Sequence, residues 1–337
     1  MTEVKAKARA KSAGSKAGAG IEVFTFGDPE PVLSRATMLD MLECYHNHRW
    51  YEPPLSLDGL ARAFRASPHH SSAIFLKRNM LAASFVPSPV MSEADFAALV
   101  LDYLVFGNGY VLEVRNRLGG LLRVEHLMAK FTRRGVEPGA FWWVPGFKNE
   151  VELERAHQLR APDINQEIYG LPEYLSALQS ALLNENATLF RRRYFENGSH
   201  AGYILYATGE FADGDVTAMR DALKKAKGPG NFRNMFVHSP TGKENGIKIL
   251  PIAEVGAKDD FLNIKNATRD DVLAAHRVPP QLLGIVPANA GGFGDVSKAT
   301  DAFYELEIRP LQAVFLRLND MLRYEVVRFR EREAAAA

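Results

Sequence analysis

PEYLSALQSALLNENATLFRRRYFENG, residues 172–198, predicts one long helix. Pro172 suits the first helical turn, where a missing N–H costs no hydrogen bond, and Asn197-Gly198 is a common helix end. Apolar side chains recur along it at helical spacing: Leu175, Leu178, Leu182, Leu189 and Phe190. At 1.5 Å per residue, residues 172–197 extend about 39 Å. This helix is the first of two that bracket a smaller unit.

The second long helix is predicted for residues 257–277. Asp259 and Asp260 stand in its first turn, where carboxylates interact favourably with the helix dipole. The helix has to end before Pro279-Pro280, because the residue before a proline disfavours helical backbone angles. Between the two helices, the pattern predicts a small α/β unit. Its strands are expected at 203–207, 234–238 and 247–252, and its helix at 215–227.

The C-terminal part combines a glycine-rich loop with a helix. The loop is IVPANAGGFGD, residues 285–295, and its glycines allow backbone angles that other residues avoid. Pro310 is expected to start a new helix. One side of that helix is apolar and comprises Leu311, Val314, Phe315, Leu318, Met321 and Leu322.

Residues 21–170 predict an α+β domain. A helix follows Pro68, with Ile74, Phe75 and Leu81 as its apolar face, and Pro87-Ser88-Pro89 ends it. Ser92 and Asp95 mark the start of another helix, which continues to residue 106. After a turn at 107–109, strands at 110–116 and 121–127 form a hairpin through NRLGG, and short strands follow within 141–160.

Length and charge limit the possible functions. The 337 residues exceed what one compact core usually holds, so two or three sub-domains are expected. Lys and Arg total 41 against 40 Asp and Glu, a net charge of +1. Tight binding to nucleic-acid phosphates needs a large excess of cations, which this chain lacks. A protein that only lets DNA pass needs no such excess.

Cysteine content and hydropathy indicate a soluble chain made in the cytoplasm. Cys44 is the one cysteine, so the sequence predicts neither an internal disulfide nor a thiolate metal cluster. No apolar run approaches the roughly 20 residues that span a bilayer, and the N-terminus lacks the apolar core of a signal peptide. Residues 1–20 alternate Lys and Arg with Ala, Gly and Ser, which predicts a flexible basic tail.

The sequence contains no convincing catalytic, cofactor or metal motif. Around Thr241-Gly242-Lys243, a phosphate-binding loop would need Gly at 237 and Ser or Thr at 244, where Val and Glu stand. The loop at 290–295 precedes no strand–helix unit that could bind a dinucleotide. His46, His48, His69 and His70 lack the third and fourth ligands of a metal site at convincing spacing. We therefore expect no enzyme activity, cofactor or metal.

Arg191, Arg192 and Arg193 form the one dense basic cluster. One interpretation is favourable charge in the last turns of a helix, which contributes a few tenths of a kcal/mol per residue. The other is a cationic band that faces a partner or DNA. The residues alone leave both interpretations open.

Long collinear strings resemble a known family. RWYEPPLSLDGLARAFRASPHHSSAIFLKRNMLA (49–82) is similar to the portal proteins of PBSX-type prophages and related contractile-tailed temperate phages. The strings LDYLVFGNGYVLEVRNRLGG (101–120), IYGLPEYLSALQSALLNENATLFRRRYFENGSHAGYIL (168–205) and HRVPPQLLGI (276–285) extend the likeness. It covers roughly residues 30–325, which leaves the basic tail and the C-terminal end unexplained.

The resemblance implies a portal-protein fold of the α+β class with a fixed domain order. A flexible tail at 1–20 precedes an α/β wing at 21–170. A two-helix stem at 172–198 and 255–277 flanks a small α/β clip at 199–252. A tunnel-loop region at 278–299 and a helical crown at 300–337 complete the chain.

The family also implies partners and a location. Its members are structural subunits that form rings, typically of twelve, at one capsid vertex of the virion, and they assemble in the host cytoplasm. Double-stranded DNA passes through the channel without sequence recognition, and no membrane takes part. The terminase large subunit, the capsid or scaffold proteins and the head-completion proteins are the other expected partners. The resemblance places Arg191–Arg193 at the stem, and the loop expected to point at DNA comprises Val286, Pro287, Ala288, Asn289, Ala290, Gly291, Gly292, Phe293 and Gly294.

Two other classes of function remain to be weighed. A hydrolase or nuclease would need a convergent acid–base or metal set, and it would show turnover. Another phage head structural or adaptor protein would form small oligomers that bind a preformed ring. The oligomeric state in solution therefore separates these alternatives from a portal subunit.

Overall fold

The computed structural model describes residues 44–146, 149–196, 203–207, 247–251, 257–286 and 295–332. The predicted basic tail at 1–20, the helix at 215–227 and the strand at 234–238 lie outside these ranges, as do residues 287–294 of the glycine-rich loop. Within the described ranges, helices and antiparallel strands come in separate runs along the chain, which confirms the α+β class.

Three helices open the described chain: α1 (Leu57–Ala63), α2 (Pro68–Ser84) and α3 (Glu93–Phe106). The Oγ of Ser92 accepts a hydrogen bond from the backbone N–H of Asp95 at 3.1 Å, so Ser92 caps α3 as predicted. At the other end of α3, Gly107 has φ +69°, a left-handed conformation that glycine adopts without strain.

Six short strands follow in two antiparallel sheets. They are β1 (Asn108–Arg115), β2 (Leu121–Leu127), β3 (Thr132–Arg134), β4 (Phe141–Trp143), β5 (Val151–Leu153) and β6 (Ala156–Arg160). One sheet has the order β2-β1-β6 and the other the order β3-β4-β5. The NRLGG hairpin is confirmed. The predicted turn at 107–109 is wrong beyond Gly107, because Asn108 and Gly109 pair with β6 and belong to β1.

Two glycines allow the first sheet to meet the segment that leads into the long helix. A Cβ on Gly170 would lie 2.0 Å from the carbonyl oxygen of Gly107, which is too close for any side chain. The buried amide of Asn108 donates to the carbonyls of Phe106 and Gly170, both at 2.8 Å, and accepts from the N–H of Gly170 at 2.7 Å. These bonds satisfy backbone groups that burial would otherwise leave unpaired.

The two long helices are α4 (Leu178–Glu196) and α5 (Ala257–Ala275), and the strands β7 (Tyr203–Ala207) and β8 (Ile247–Pro251) lie between them and pair antiparallel. The first helix is shorter than predicted, because residues Glu173–Ala177 form a 3-10 turn. Tertiary contacts hold this turn: Tyr174 is buried and its hydroxyl donates to the carbonyl of Val105 at 2.6 Å.

The C-terminal helices are α6 (Val296–Phe303) and α7 (Arg309–Leu322), joined by a π-helical turn at Tyr304–Ile308. Pro310 lies in the first turn of α7, as predicted, but the helical run continues through the π turn from α6. Leu311, Phe315, Leu318 and Leu322 are buried as expected. Met321 is exposed, because it lies at the edge of this buried stripe.

One hydrophobic core joins the N-terminal helices to the C-terminal ones. Phe96 of α3 stacks on Phe85 at 4.2 Å between ring centroids and meets Phe315 of α7 edge-on at 5.4 Å. The same cluster includes Phe303, Leu322 and Val327. Residues assigned to the wing and to the crown therefore share a core, and a boundary at residue 300 does not separate two cores. The domain names themselves stay a prediction about position in the ring.

Candidate functional site

The candidate stem consists of α4 and α5, which pack side by side in opposite directions. Ser180 of α4 donates a hydrogen bond to the carboxylate of Asp271 at 3.0 Å, and one turn along, Asn184 donates to the hydroxyl of Thr268 at 2.8 Å. Next to these pairs, Ala181 and Val272 are fully buried. The small Ala side chain lets the two helices approach closely.

Asn184 also ties the helix pair to the N-terminal part of the chain. Its side chain is buried, and its Oδ1 accepts a long hydrogen bond of 3.4 Å from the hydroxyl of Ser67, the residue before α2. Buried polar groups that are fully paired favour one packing over alternatives. The α4–α5 pair therefore joins the body of the chain in a defined register.

The predicted basic cluster lies near the end of α4. Arg191 and Arg192 are exposed, and the side chain of Arg193 lies outside the described part of the structure. Partial burial lowers the pKa of Lys265 on α5, and the positive charge of Arg191 adds to that effect. The positive charge of Arg191 thus acts on Lys265 across the helix pair, and both interpretations of the basic cluster stay open.

The same side of α5 carries further positive charge. Burial lowers the pKa of His69, and the charges of Arg269 and Lys265 lower it further. Arg269 pairs with the neighbouring Asp270 at 2.8 Å. Lys265 and Arg269 thus share one side of α5, and Asp270 balances the charge of Arg269.

The structure fixes both ends of the glycine-rich loop. Before it, the residues Pro280–Leu283 form a 3-10 turn that ends at Gly284, with φ +71°. The N–H of Ile285 bonds back to the carbonyl of Pro280 at 3.1 Å, and Val286 is exposed. After the loop, Asp295 caps α6 by accepting from the N–H of Lys298 at 3.0 Å. The other eight residues of the predicted loop site, 287–294, lie outside the described residues.

The structure does not bring the two predicted site groups together. The charge of Arg191 acts on Lys265, which lies in the first half of α5. The glycine-rich loop begins at Ile285, ten residues after the end of α5. Arg191 and the described start of the loop at Ile285 therefore lie toward opposite ends of α5.

A buried charge cluster joins the end of α5 to the helices on either side of it. The ammonium of Lys77 on α2 lies 2.5 Å from the carboxylate of Glu307 in the π turn, and both side chains are about 5% exposed. The guanidinium of Arg277, just after α5, also pairs with Glu307 at 2.6 Å and with Glu173 before α4. Arg277 has φ +54°, a backbone angle that is uncommon outside glycine.

The charged groups in this cluster shift one another's pKa values. Burial raises the pKa of Glu307, but hydrogen bonds from Arg277 and the charge of Lys77 outweigh it, so the net pKa falls below the ordinary value. Burial lowers the pKa of Lys77, and Glu307 offsets only part of that effect. The hydrogen bond to Glu307 raises the pKa of Arg277. Glu307 thus pairs with both cations at the junction of α2, α5 and the π turn, and Glu173 gives Arg277 a second carboxylate.

Two buried histidines lie beside this cluster. Nδ1 of His70 and Nε2 of His276 are 2.8 Å apart, so the N–H of one ring donates a hydrogen bond to the bare nitrogen of the other. Tyr174 packs against both rings, at 4.4 Å and 5.6 Å between centroids. Burial lowers the pKa of His70 to about 4 and that of His276 to about 2, so both rings are neutral at pH 7.

The histidine pair predicts a loss of stability in acid. The unfolded chain has the higher histidine pKa, about 6.5, so it binds more protons, and stability present above that pH is lost as the pH falls toward 4. Between pH 7 and pH 5 we expect each histidine to remove about 2 kcal/mol from the free energy of unfolding. Urea unfolding at both pH values measures this. His276→Gln should reduce the difference in the free energy of unfolding between pH 7 and pH 5, whereas the exposed His46→Gln should not. Equal differences in the wild type and both variants would contradict the prediction.

Comparison with known proteins identifies the family. The family model described as "Phage portal protein" matches residues 80–332. The protein named "Probable portal protein" of Escherichia phage P2 is 51% identical over 316 residues, which cover 93% of this chain and 92% of that protein. The chain belongs to the phage portal protein family. The predicted identity as a portal subunit is confirmed, and the narrower PBSX-type assignment stays a prediction.

Solved structures show the same fold for this portal protein. The structure described as "Neck of native GTA particle computed with C12 symmetry" matches with a TM-score of 0.57 and 18% identity, covering 82% of this chain and 83% of that chain. A crystal structure of an HK97 family phage portal protein from Corynebacterium diphtheriae matches with a TM-score of 0.56 and 17% identity, covering 80% and 94%. The predicted portal fold is confirmed.

The buried junction of this portal protein was not predicted, although the sequence pattern holds a signal for it. Lys77 lies three residues after Ile74 and four before Leu81, which places it on the buried face of α2. Glu307 likewise falls between Phe303 and Leu311 on the buried face of the C-terminal helices. A charge at a core position of a helix signals a buried partner, but not which partner.

The histidines that were weighed as metal ligands have other surroundings. His46 and His48 are exposed and flank a turn, in which the side-chain oxygen of Asn47 accepts from two backbone N–H groups. His70 pairs with His276. Among the described residues, no group of three or more His, Cys, Asp or Glu is arranged to hold a metal ion. In the same part of the chain, no helix is long and apolar enough to cross a membrane.

Proposed function

We propose that this portal protein forms a closed ring at one capsid vertex, where it connects head and tail. Double-stranded DNA enters and leaves through the channel of that ring. The observation that carries the proposal is the 51% identity to a portal protein over nearly the whole chain. Head-to-tail contacts that close on rotation produce rings, and the C12 symmetry of the matched neck structure supports a ring of twelve.

We propose the following arrangement of the subunit in the ring. Residues 21–170 form the wing, α4 and α5 form the stem around the channel, and residues 199–252 form the clip. The region 278–299 carries the tunnel loop. Because α6 and α7 share their core with α2 and α3, residues 300–337 form a crown that is built directly on the wing.

The proposed partners are those that the family resemblance implies. A separate terminase ATPase would drive the DNA and would dock on the clip, which agrees with the missing nucleotide-binding motif in the sequence. Head-completion proteins would replace it there, and capsid or scaffold proteins would meet the wing. Assembly would take place in the host cytoplasm, and the chain itself would be a structural subunit of the virion without enzyme activity.

We propose that the loop Val286–Gly294 makes steric contact with passing DNA. The loop contains no Lys or Arg, so it could touch DNA without holding its phosphates. Phe293 would be the bulky side chain at the DNA, and Gly291, Gly292 and Gly294 would let the loop adjust. The hydrogen bonds at Ile285 and Asp295 would hold both ends of the loop in place while it moves.

The basic cluster gives a second proposed contact, at the stem. Replacing Arg191, Arg192 and Arg193 by Glu should reduce ring assembly or DNA packaging several-fold, because it reverses the cationic band beside Lys265. Ring yield and the fraction of DNA-filled particles measure the effect. The exposed Arg117 and Arg328 replaced by Glu serve as the control. Normal assembly and packaging in the triple variant would exclude a role for the cluster.

Complementation tests the proposed function as a whole. The gene for this chain would be deleted from a phage or inducible prophage that encodes it, and the full chain supplied from a plasmid. Without it, we expect heads that contain no DNA, and with it, DNA-filled particles. Packaged heads in the absence of the chain would refute the proposal.

A further inference from the structure

One edge of the first sheet is open. Strand β6 pairs with β1 on one side, and the sheet order β2-β1-β6 leaves its other side without a strand among the described residues. The N–H of Ala161 and the carbonyl of Arg155 both bond toward β1, to Gly107 and Glu113. Since backbone groups alternate in direction along a strand, those of Ala156, Gln158 and Arg160 point away from β1.

An open cavity of about 640 Å³ borders this edge. Its walls come from β6, from the end of β3, from the turn at 135–139 and from Met321 of α7. In the described part of the chain, no backbone or side-chain group hydrogen-bonds to the outward N–H and carbonyl groups of β6. Such an edge accepts an additional extended strand.

The rim of the cavity is cationic. Arg134, Arg155 and Arg160 line it, and within the described ranges none of the three forms an ion pair with a carboxylate. The guanidinium of Arg134 lies 4.8 Å over the ring of Phe141, which orients it. Glu167 is the one carboxylate among the lining residues, and His157 is already paired with Glu113 at 2.6 Å.

We propose that this edge and its arginine rim form a docking site for an acidic, extended segment of a partner protein. The partner is a protein other than the portal subunit itself. The segment would add a strand to β6 and place carboxylates at Arg134, Arg155 and Arg160. Val136, Phe141 and Ile168 would contact apolar side chains of the segment.

Size and shape favour a peptide over DNA as the occupant. The cavity has the volume of a small-ligand or peptide pocket, of order 300–1,000 Å³, whereas a duplex lies against a broad cationic surface. Apolar side chains in the walls match a peptide and not a phosphate backbone. The proposal adds a site to the portal subunit and does not depend on ring closure.

The test uses the purified full chain and a fluorescent six-residue peptide of alternating Glu and Val. Fluorescence anisotropy should show saturable binding, and the matching peptide of alternating Lys and Val should not bind. Arg155→Gln with Arg160→Gln should weaken binding about fivefold through the lost charges. The exposed Arg117→Gln and Arg328→Gln, which lie outside the cavity, are the matched control and should bind as the wild type does.

The backbone contact has its own test. Arg160→Pro removes the outward N–H together with the charge, and on an edge strand it leaves the bonds to β1 intact. It should bind about fivefold more weakly than Arg160→Gln. A peptide methylated on alternate backbone nitrogens tests the same contact without altering the protein and should also bind more weakly.

Several results would overturn the proposal. Two of them are an acidic peptide that shows no saturable binding and control variants that weaken its binding as much as the cavity variants do. The others are a peptide whose affinity methylation leaves unchanged and a short DNA duplex that displaces the peptide fully. A change in the oligomeric state with Arg160→Pro, measured by light scattering, would assign the edge to a second copy of this chain. Ring assembly is recorded separately, so failure here is distinguishable from failure of the portal assignment.

Discussion

Glu307→Leu alone should lower the free energy of unfolding by about 3–5 kcal/mol. The substitution leaves the ammonium of Lys77 buried, about 5% exposed, without its carboxylate. A buried charge without a partner costs several kcal/mol, whereas the loss at Arg277 is small because that side chain is half exposed and keeps Glu173. Urea unfolding at one fixed protein concentration measures the change in midpoint.

The double variant Lys77→Met with Glu307→Leu is the control. Apolar side chains of similar volume can replace a buried ion pair with little loss, so the second substitution should recover most of the stability. Glu305→Leu, at an exposed residue of the same π turn, should change the midpoint little. A single variant as stable as the wild type would show that Lys77 and Glu307 are not a buried pair in solution.

Deleting Ala290–Gly294 should abolish most DNA-filled particles while rings still form. Both ends of the loop are held by hydrogen bonds that the deletion does not remove, at Ile285 and at Asp295. The loss should therefore fall on the passage or retention of DNA and not on folding. Electron microscopy of rings and the ratio of filled to empty heads separate the two effects.

Phe293→Ala is the finer test of the same loop. It should reduce DNA retention, because Phe293 is the bulky side chain of residues 290–294. Leu118→Ala removes a comparably large apolar side chain, 96% exposed at the tip of the β1–β2 hairpin, and should have no such effect. Normal assembly, packaging and retention in the deletion variant would refute the proposed role of the loop.

Local signals made much of the fold predictable. The cap at Ser92, the end of α3 at Gly107 and the NRLGG hairpin each depend on residues a few positions apart. The end of α5 before Pro279 follows from a proline's own geometry. Prediction was accurate where neighbours in sequence determine the conformation.

Long-range contacts decided the rest. Lys77 and Glu307 are 230 positions apart, so no spacing rule could pair them, and the histidines 70 and 276 are 206 positions apart. The 3-10 turn before α4 is held by the distant carbonyl of Val105. The shared core of α3 and α7 likewise depends on Phe96 and Phe315, which only the folded chain brings together.

The candidate site was predictable only in part. The long strings at 101–120 and 168–205 indicate the portal family by their residues alone. The effect of Arg191 on Lys265 depends on the antiparallel packing of α4 and α5, so it could not be read from the sequence. The open edge of β6 could not be foreseen, because it depends on which strand ends a sheet.

Negative-stain electron microscopy of the purified full chain, with native mass spectrometry, tests the central claim most directly. We expect closed rings with a central hole and about twelve subunits, alone or after addition of scaffold or capsid protein. A chain that stays monomeric or dimeric even with scaffold and capsid protein present would contradict it.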